Sequence, residues 1–197
     1  MPASQHCITK DDILPWETYA KERDQHRKRM IPIKKKRRVA VGPYATFYFE
    51  NFDTMWQQVQ EMVHIERGGE EQLDGELAVY NPLIPQGSEL IATLMLEIED
   101  AVRRSAILRT LGGIEETIRL DVGDTHITAT PTDYEDRTTP EGKTSSVHWL
   151  RFVFTPEQIA LFRDPNTKVV LGIHHANYGH MANVPAEARA ELAKDFD

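Results

Sequence analysis

The stretch "ELIATLMLEIE", residues 89–99, leaves a chain few ways to fold. Leu90, Ala92, Leu94, Leu96 and Ile98 recur at every second position, whereas Glu89, Ile91, Thr93, Met95 and Glu97 alternate with them. A two-residue period puts these sets on opposite faces of a β-strand. One face is wholly apolar and must be buried; the other is half polar. Two more segments share this character. In "VAVGPYATFYFE", Val39, Val41, Ala45, Phe47 and Phe49 fall on one face, with Tyr44, Thr46 and Tyr48 on the other. In "SSVHWLRFVF", Ser146, His148, Leu150, Phe152 and Phe154 share a parity. Residues 39–49, 89–99 and 145–154 are therefore expected as central strands of one sheet.

Helical signals supply the cover. Thr9 and Asp12 are placed to cap a helix from near Lys10 to about Lys28, which Pro32 ends. Asn51 or Asp53 caps a second, with an apolar stripe of Phe52, Met55, Trp56, Val59 and Met62/Val63, terminated by Gly68-Gly69. "YNPLIPQGSE" reads as a loop, Asp100–Leu111 as a short helix, and Pro185 as the start of a C-terminal helix. Thr155-Pro156-Glu157-Gln158 is a capping box with proline in the first turn. "ETIRLDV" and "THITATP" flank the two-residue turn Gly123-Asp124, a hairpin signal, and "KVVLGIHH" is a further strand. Residues 131–145 are polar and read as a long mobile loop. Hairpins outnumber βαβ units. The fold class expected is α+β, a largely antiparallel mixed sheet of about six strands with flanking amphipathic helices, one domain over residues 1–197.

Charge narrows the functional classes. The net charge is −8, yet residues 21–38 hold ten of the 23 Lys and Arg and only two acidic residues. This basic N-terminal helical segment, residues 1–38 in all, ends in Lys34, Lys35, Lys36, Arg37 and Arg38, which read first as a solvated helix end pairing with acidic residues of the same chain, and otherwise suit an acidic partner or an anion. No aromatic residue interrupts the run, so nucleic acid is not the expected partner. The apolar runs fall far short of the ~20 residues of a membrane helix, and no signal peptide is seen. Cys7 is the sole cysteine, so no intrachain disulfide and no cysteine-based metal site can form within one chain. A cytoplasmic location is expected.

Several side chains invite chemistry. His148 points at the core face of its strand, where an imidazole must either bond a nearby carbonyl or hydroxyl or act as a metal ligand or proton carrier. Glu66 falls on the apolar stripe of its helix and Glu97 on the half-polar strand face. A carboxylate there snorkels outward, finds a cation or binds a metal. His148, Glu66 and Glu97 together would suit iron or another hard divalent metal. Glu61 and His64 read as a solvated helix face. "HHANYGH" (His174, His175, His180) matches no zinc spacing, since adjacent strand residues face opposite ways. In "EGKTSS", Lys143 with Ser145 and Ser146 offers an anion contact without the glycine pattern of a phosphate loop. No Gly-x-Ser-x-Gly elbow and no dinucleotide fingerprint are present.

The phrases "KKKRRVAVGP", "YNPLIPQGSELIATLMLEIED" and "KTSSVHWLRF" occur in an order that resembles a bacterial domain-of-unknown-function family. Genes of that family often neighbour those for a rubrerythrin and a heterodisulfide-reductase-like iron–sulfur protein. The resemblance implies a setting near peroxide defence or iron handling, with such proteins as partners, and it carries over no catalytic residue. Three readings follow. The first is an accessory protein of an iron- or peroxide-linked redox system that binds a metal or a protein partner. The second is a small metalloenzyme built on His148 and inward carboxylates. The third is an anion or nucleotide binder using the basic segment and Lys143.

Overall fold

The computed structural model describes residues 6–132 and 137–197. A single 3-10 turn, Lys10–Asp12, precedes helix α1, Trp16–Lys36. Next come β1 (Arg38–Val41), β2 (Ala45–Glu50), α2 (Phe52–Glu66), α3 (Gly69–Tyr80), β3 (Glu89–Leu96) and α4 (Ala101–Leu108). The second half runs β4 (Ile118–Val122), β5 (Thr125–Thr128), β6 (Thr130–Pro131), β7 (Val147–Val153), α5 (Pro156–Arg163), β8 (Val169–His175), β9 (Tyr178–Asn183) and α6 (Ala186–Leu192). The class is α+β, and every strand pairing among the described residues within the named strands is antiparallel.

The three expected central strands do share a sheet. Its order is β1-β2-β3-β7-β6, while a second sheet runs β5-β4-β8-β9. The strands thus divide over two sheets. Periodicity assigns a face to a residue but not the element that face meets, so it could not separate them. Residues 39–49 form a hairpin, because Gly42-Pro43-Tyr44 turns the chain. Val39 lies opposite Phe47 and Val41 opposite Ala45, so the apolar parity survives the turn. Gly42 has a φ of 71°, and a Cβ there would lie 2.6 Å from the His180 ring. Glycine is the residue that fits both demands.

The inner faces of the two sheets meet. Phe47, Phe49, Leu90, Ala92, Leu94, Leu150 and Phe152 pack there with Leu120, Val122, Leu171 and Ile173 of the second sheet. Tyr178 ties the layers at one edge: its hydroxyl accepts from the Tyr44 and Ala45 N–H groups (2.9 and 3.0 Å) and donates to the Val41 carbonyl (2.9 Å). The outer face of the five-stranded sheet carries a second apolar cluster. Ile91 meets Phe52, Met55, Trp56 and Val59 of α2, with Leu83 and Ile84 from the segment after α3.

Helix α2 is covered on a further side, by α1. Tyr19, fully buried, donates to Glu61 at 2.7 Å and accepts from Gln57, and Arg23 grips the same carboxylate at 2.7 Å. Glu61 is consequently no solvated residue, and the Arg23 guanidinium and Tyr19 hydroxyl hold its carboxyl below the ordinary range. Helix α1 also departs from expectation. Thr9 and Asp12 cap only the short 3-10 turn, and α1 passes through Pro32 to Lys36. An internal proline costs about 3 kcal/mol. Buried Met30 before it and the anchored Arg37 after it hold the last turn in place. The long polar loop 131–145 is in part described: Thr138 and Thr144 form an isolated bridge, while residues 133–136 lie outside the described residues. Among the described residues, no helix is long and apolar enough to cross a membrane.

Candidate functional site

Strand pairing sets Tyr48, Thr93 and Trp149 side by side across β2, β3 and β7, with Thr46, Met95 and Val147 as the next row. All six have the parity opposite to the inner core. Glu50 ends β2 on this same outer face. Helix α2 begins directly after it, because Asn51 caps the helix by accepting from the Thr54 N–H at 3.0 Å. The helix therefore leaves the sheet beside Glu50 and crosses above it. Between them lies a cavity of about 370 Å³, within the range of small-molecule sites. Its walls include Tyr48, Tyr80 and Trp149 as aromatic surfaces, Met55 and Leu83 as aliphatic ones, and Glu50, Thr93 and Lys34 as polar ones.

Glu50 is the carboxylate of this cavity, which Lys34 and Arg37 also line. It is buried, and each oxygen has a hydroxyl donor: Thr54 Oγ1 at 2.6 Å and Thr93 Oγ1 at 2.7 Å. No Lys, Arg or His nitrogen lies within 4.0 Å of its carboxylate among the described residues. Burial pushes its pKa up, against the opposing pull of the two threonines and of more distant Lys34 and Arg37. Tyr80, on another wall, is also pushed up by burial. Tyr48 donates to Glu97 at 2.9 Å, and burial with that carboxylate raises its pKa too.

Arg37 also lines the cavity, with 1% of its surface exposed. Its Nε donates to the Phe49 carbonyl and Nη2 to the Glu50 carbonyl, both at 3.0 Å, and Nη2 also pairs with Asp195. Arg37 thus fixes the end of β2 where Glu50 emerges. Burial raises the Asp195 pKa more than Arg37 lowers it. The remainder of the basic segment is divided in role. Lys36 pairs with Glu187 at 3.1 Å, Lys34 lines the cavity, and Lys35 and Arg38 are exposed. Lys143 is half-buried in a turn whose backbone pairs with Thr139.

The three residues considered for a metal lie apart. His148 is on the inner face, opposite Leu94, where its Nε2 meets the Ser145 carbonyl at 3.0 Å and the Thr144 hydroxyl at 3.2 Å. Its Nδ1 stands 3.6 Å from Glu115. Glu97 is exposed on the outer side, accepting from Thr46 (2.7 Å) and Tyr48. Glu66 is exposed at the C-terminal end of α2 and accepts from Gln72 at 3.1 Å, so it is not the inward carboxylate that the metal reading requires. Among the described residues, no group of three or more His, Cys, Asp or Glu could hold a metal ion.

Sequence reasoning passed over Glu50, Thr93 and Tyr80. The usable signal was parity: Glu50 continues the Thr46–Tyr48 alternation onto the half-polar face, directly before a helix cap.

A family model described as "Protein of unknown function (DUF3501)" matches residues 7–196. The chain is also similar to a crystal structure described as a novel protein of unknown function from Burkholderia pseudomallei K96243. That similarity has 36% identity and a TM-score of 0.88, covering 96% of this chain and 99% of that one. No curated protein matches the chain.

Proposed function

The chain belongs to DUF3501, a family of proteins of unknown function, and we propose that it binds a small, largely apolar organic molecule in the cavity between α2 and the outer face of the five-stranded sheet. The observation that carries this is the pairing of an aromatic-walled cavity of about 370 Å³ with a buried carboxylate, Glu50, held by two hydroxyls and, among the described residues, with no cation within 4.0 Å. Apolar walls supply affinity, and one convergent polar group supplies orientation. The test is a thermal-shift screen of small aromatic and aliphatic compounds on the wild type and on Met95→Trp. Met95 lines the cavity and is 37% exposed, so a larger side chain can enter the space with little strain on the core. A ligand at a hundredfold excess over its Kd stabilises by about 2.7 kcal/mol. Compounds that stabilise the wild type should leave Met95→Trp unmoved; equal shifts in both would place binding elsewhere and defeat the reading.

A second reading is a redox-linked accessory role in the cytoplasm beside a rubrerythrin-like or iron–sulfur partner. It is supported by the gene neighbours that the resemblance implies and by the exposed cations Lys35 and Arg38, near the cavity-lining Lys34. Salt-sensitive association with a purified rubrerythrin would support it, and association indifferent to Lys35→Gln with Arg38→Gln would count against it.

A further inference from the structure

We infer that the ligand of this cavity is a small organic ammonium, an amine whose cation sits at Glu50 and whose apolar body lies among Tyr48, Tyr80 and Trp149. The inference rests on the small-molecule reading above and adds the chemical class. Glu50 carries the first part of the argument. Thr54 from α2 and Thr93 from β3 both place hydroxyls on its oxygens, at 2.6 and 2.7 Å. Two donors from separate elements fix the carboxylate in one orientation and favour its charged form. A carboxylate has about four acceptor sites, and these bonds use two. A buried charge needs a counterion, yet no protein cation lies within 4.0 Å among the described residues. Arg37 also lines the cavity, but its Nε and Nη2 go to the Phe49 and Glu50 carbonyls and to Asp195, and its Nη1 stands 4.0 Å from Glu191. The positive partner is left for the ligand to bring.

The walls carry the second part. Tyr48, Tyr80 and Trp149 line the cavity with aromatic rings, whose negative faces attract a cation within about 6 Å, and Trp149 already carries the Arg137 guanidinium 4.9 Å from its ring centroid. Tyr48 donates its hydroxyl proton toward Glu97, which leaves its ring richer in electrons. Two cations share the lining: Arg37, buried and paired with Asp195, and Lys34, exposed in the last turn of α1. An exposed ammonium is screened and can swing away, whereas a cation seated against a buried carboxylate is not. A neutral ligand of the same shape would fill the apolar space and leave Glu50 without its counterion.

The probes are 2-phenylethylamine and its neutral analogue 2-phenylethanol, titrated calorimetrically into the full-length protein at neutral pH. The amine should bind at least about tenfold more tightly than the alcohol. Glu50→Gln should remove most of that preference while leaving the alcohol within about twofold. Thr93→Val, which deletes one carboxylate donor, should weaken the amine severalfold and serves if the first variant does not fold. Equal binding of amine and alcohol to the wild type, or an amine affinity unmoved by both variants, overturns the ammonium assignment and leaves the small-molecule cavity standing. Binding of neither probe overturns both.

Discussion

The five-stranded sheet has two faces made from the same strands, and they are built to different ends. On the inner face every position of the β2–β3–β7 row, Phe47, Leu94 and His148 among them, is buried against the second sheet. On the outer face the adjacent row, Tyr48, Thr93 and Trp149, is only in part covered by α2, and the space left over is the cavity. One residue of register separates a face that contributes stability from a face that offers a site. Full burial leaves no room for a ligand, while partial cover by a crossing helix leaves room beside polar side chains that the sheet holds rigidly in place.

The largest test of this contrast is a matched pair of truncations. Phe47→Ala on the inner face should cost about 3–5 kcal/mol in urea unfolding, because the void cannot be refilled between two sheets. Met95→Ala on the outer face should cost under ~1 kcal/mol, since the side chain already borders open space. Equal losses would break the distinction between the faces. A middle-sized effect is expected at His148, the one imidazole on the inner face. His148→Phe keeps the volume but strands the Ser145 carbonyl and Thr144 hydroxyl, for a loss of about 1–3 kcal/mol. A neutral outcome would make His148 as replaceable as an outer-face residue.

The smallest effect is expected at Glu50, with the opposite sign. Its folded pKa is raised above the ordinary 4.5 by burial. The folded state therefore holds its proton more tightly than the unfolded chain, and ionisation lowers stability as pH rises through the folded pKa. Glu50→Gln should melt slightly above the wild type at pH 7.5, and the advantage should fade as pH falls toward 4.5. A variant that melts lower at every pH would show that the carboxylate is structural, and the outer face would then serve stability as the inner one does.

Much of the inner face was legible in the sequence. Residues 89–99 declare their buried parity without ambiguity, and the capping box at Thr155 starts α5 where expected. What escaped shares a physical cause: local pattern is weak where burial is one-sided or absent. Strand β9, "YGHMAN", is an edge strand with mostly exposed side chains, so it shows no apolar alternation. Helix α3 has no fully buried residue and begins at a glycine of φ 74°, which the sequence presents only as the stop signal of α2. For the same reason Glu61 was read as solvated: the helix that covers it lies 38 residues away from it at Arg23. The cavity needed three strands, α2 and Tyr80 to be assembled before Glu50 could be seen as its charged group. His148 lies on the core face that its parity gave it, whereas Glu66 and Glu97, taken as inward carboxylates, are both exposed, and parity within an element says nothing of convergence between elements.

Arg37 and Asp195 stand 158 residues apart in the chain. A contact of such separation closes a loop spanning most of the polypeptide, and loop closure of this kind is an entropic cost met late in folding. Yet the same guanidinium clasps the carbonyls of Phe49 and Glu50, where the cavity takes its charge. The rim of the cavity is therefore finished by a residue far from it along the chain. No hairpin or helix pair folding ahead of the whole can hold a competent site, so occupancy of the cavity would report that the chain has reached its native topology.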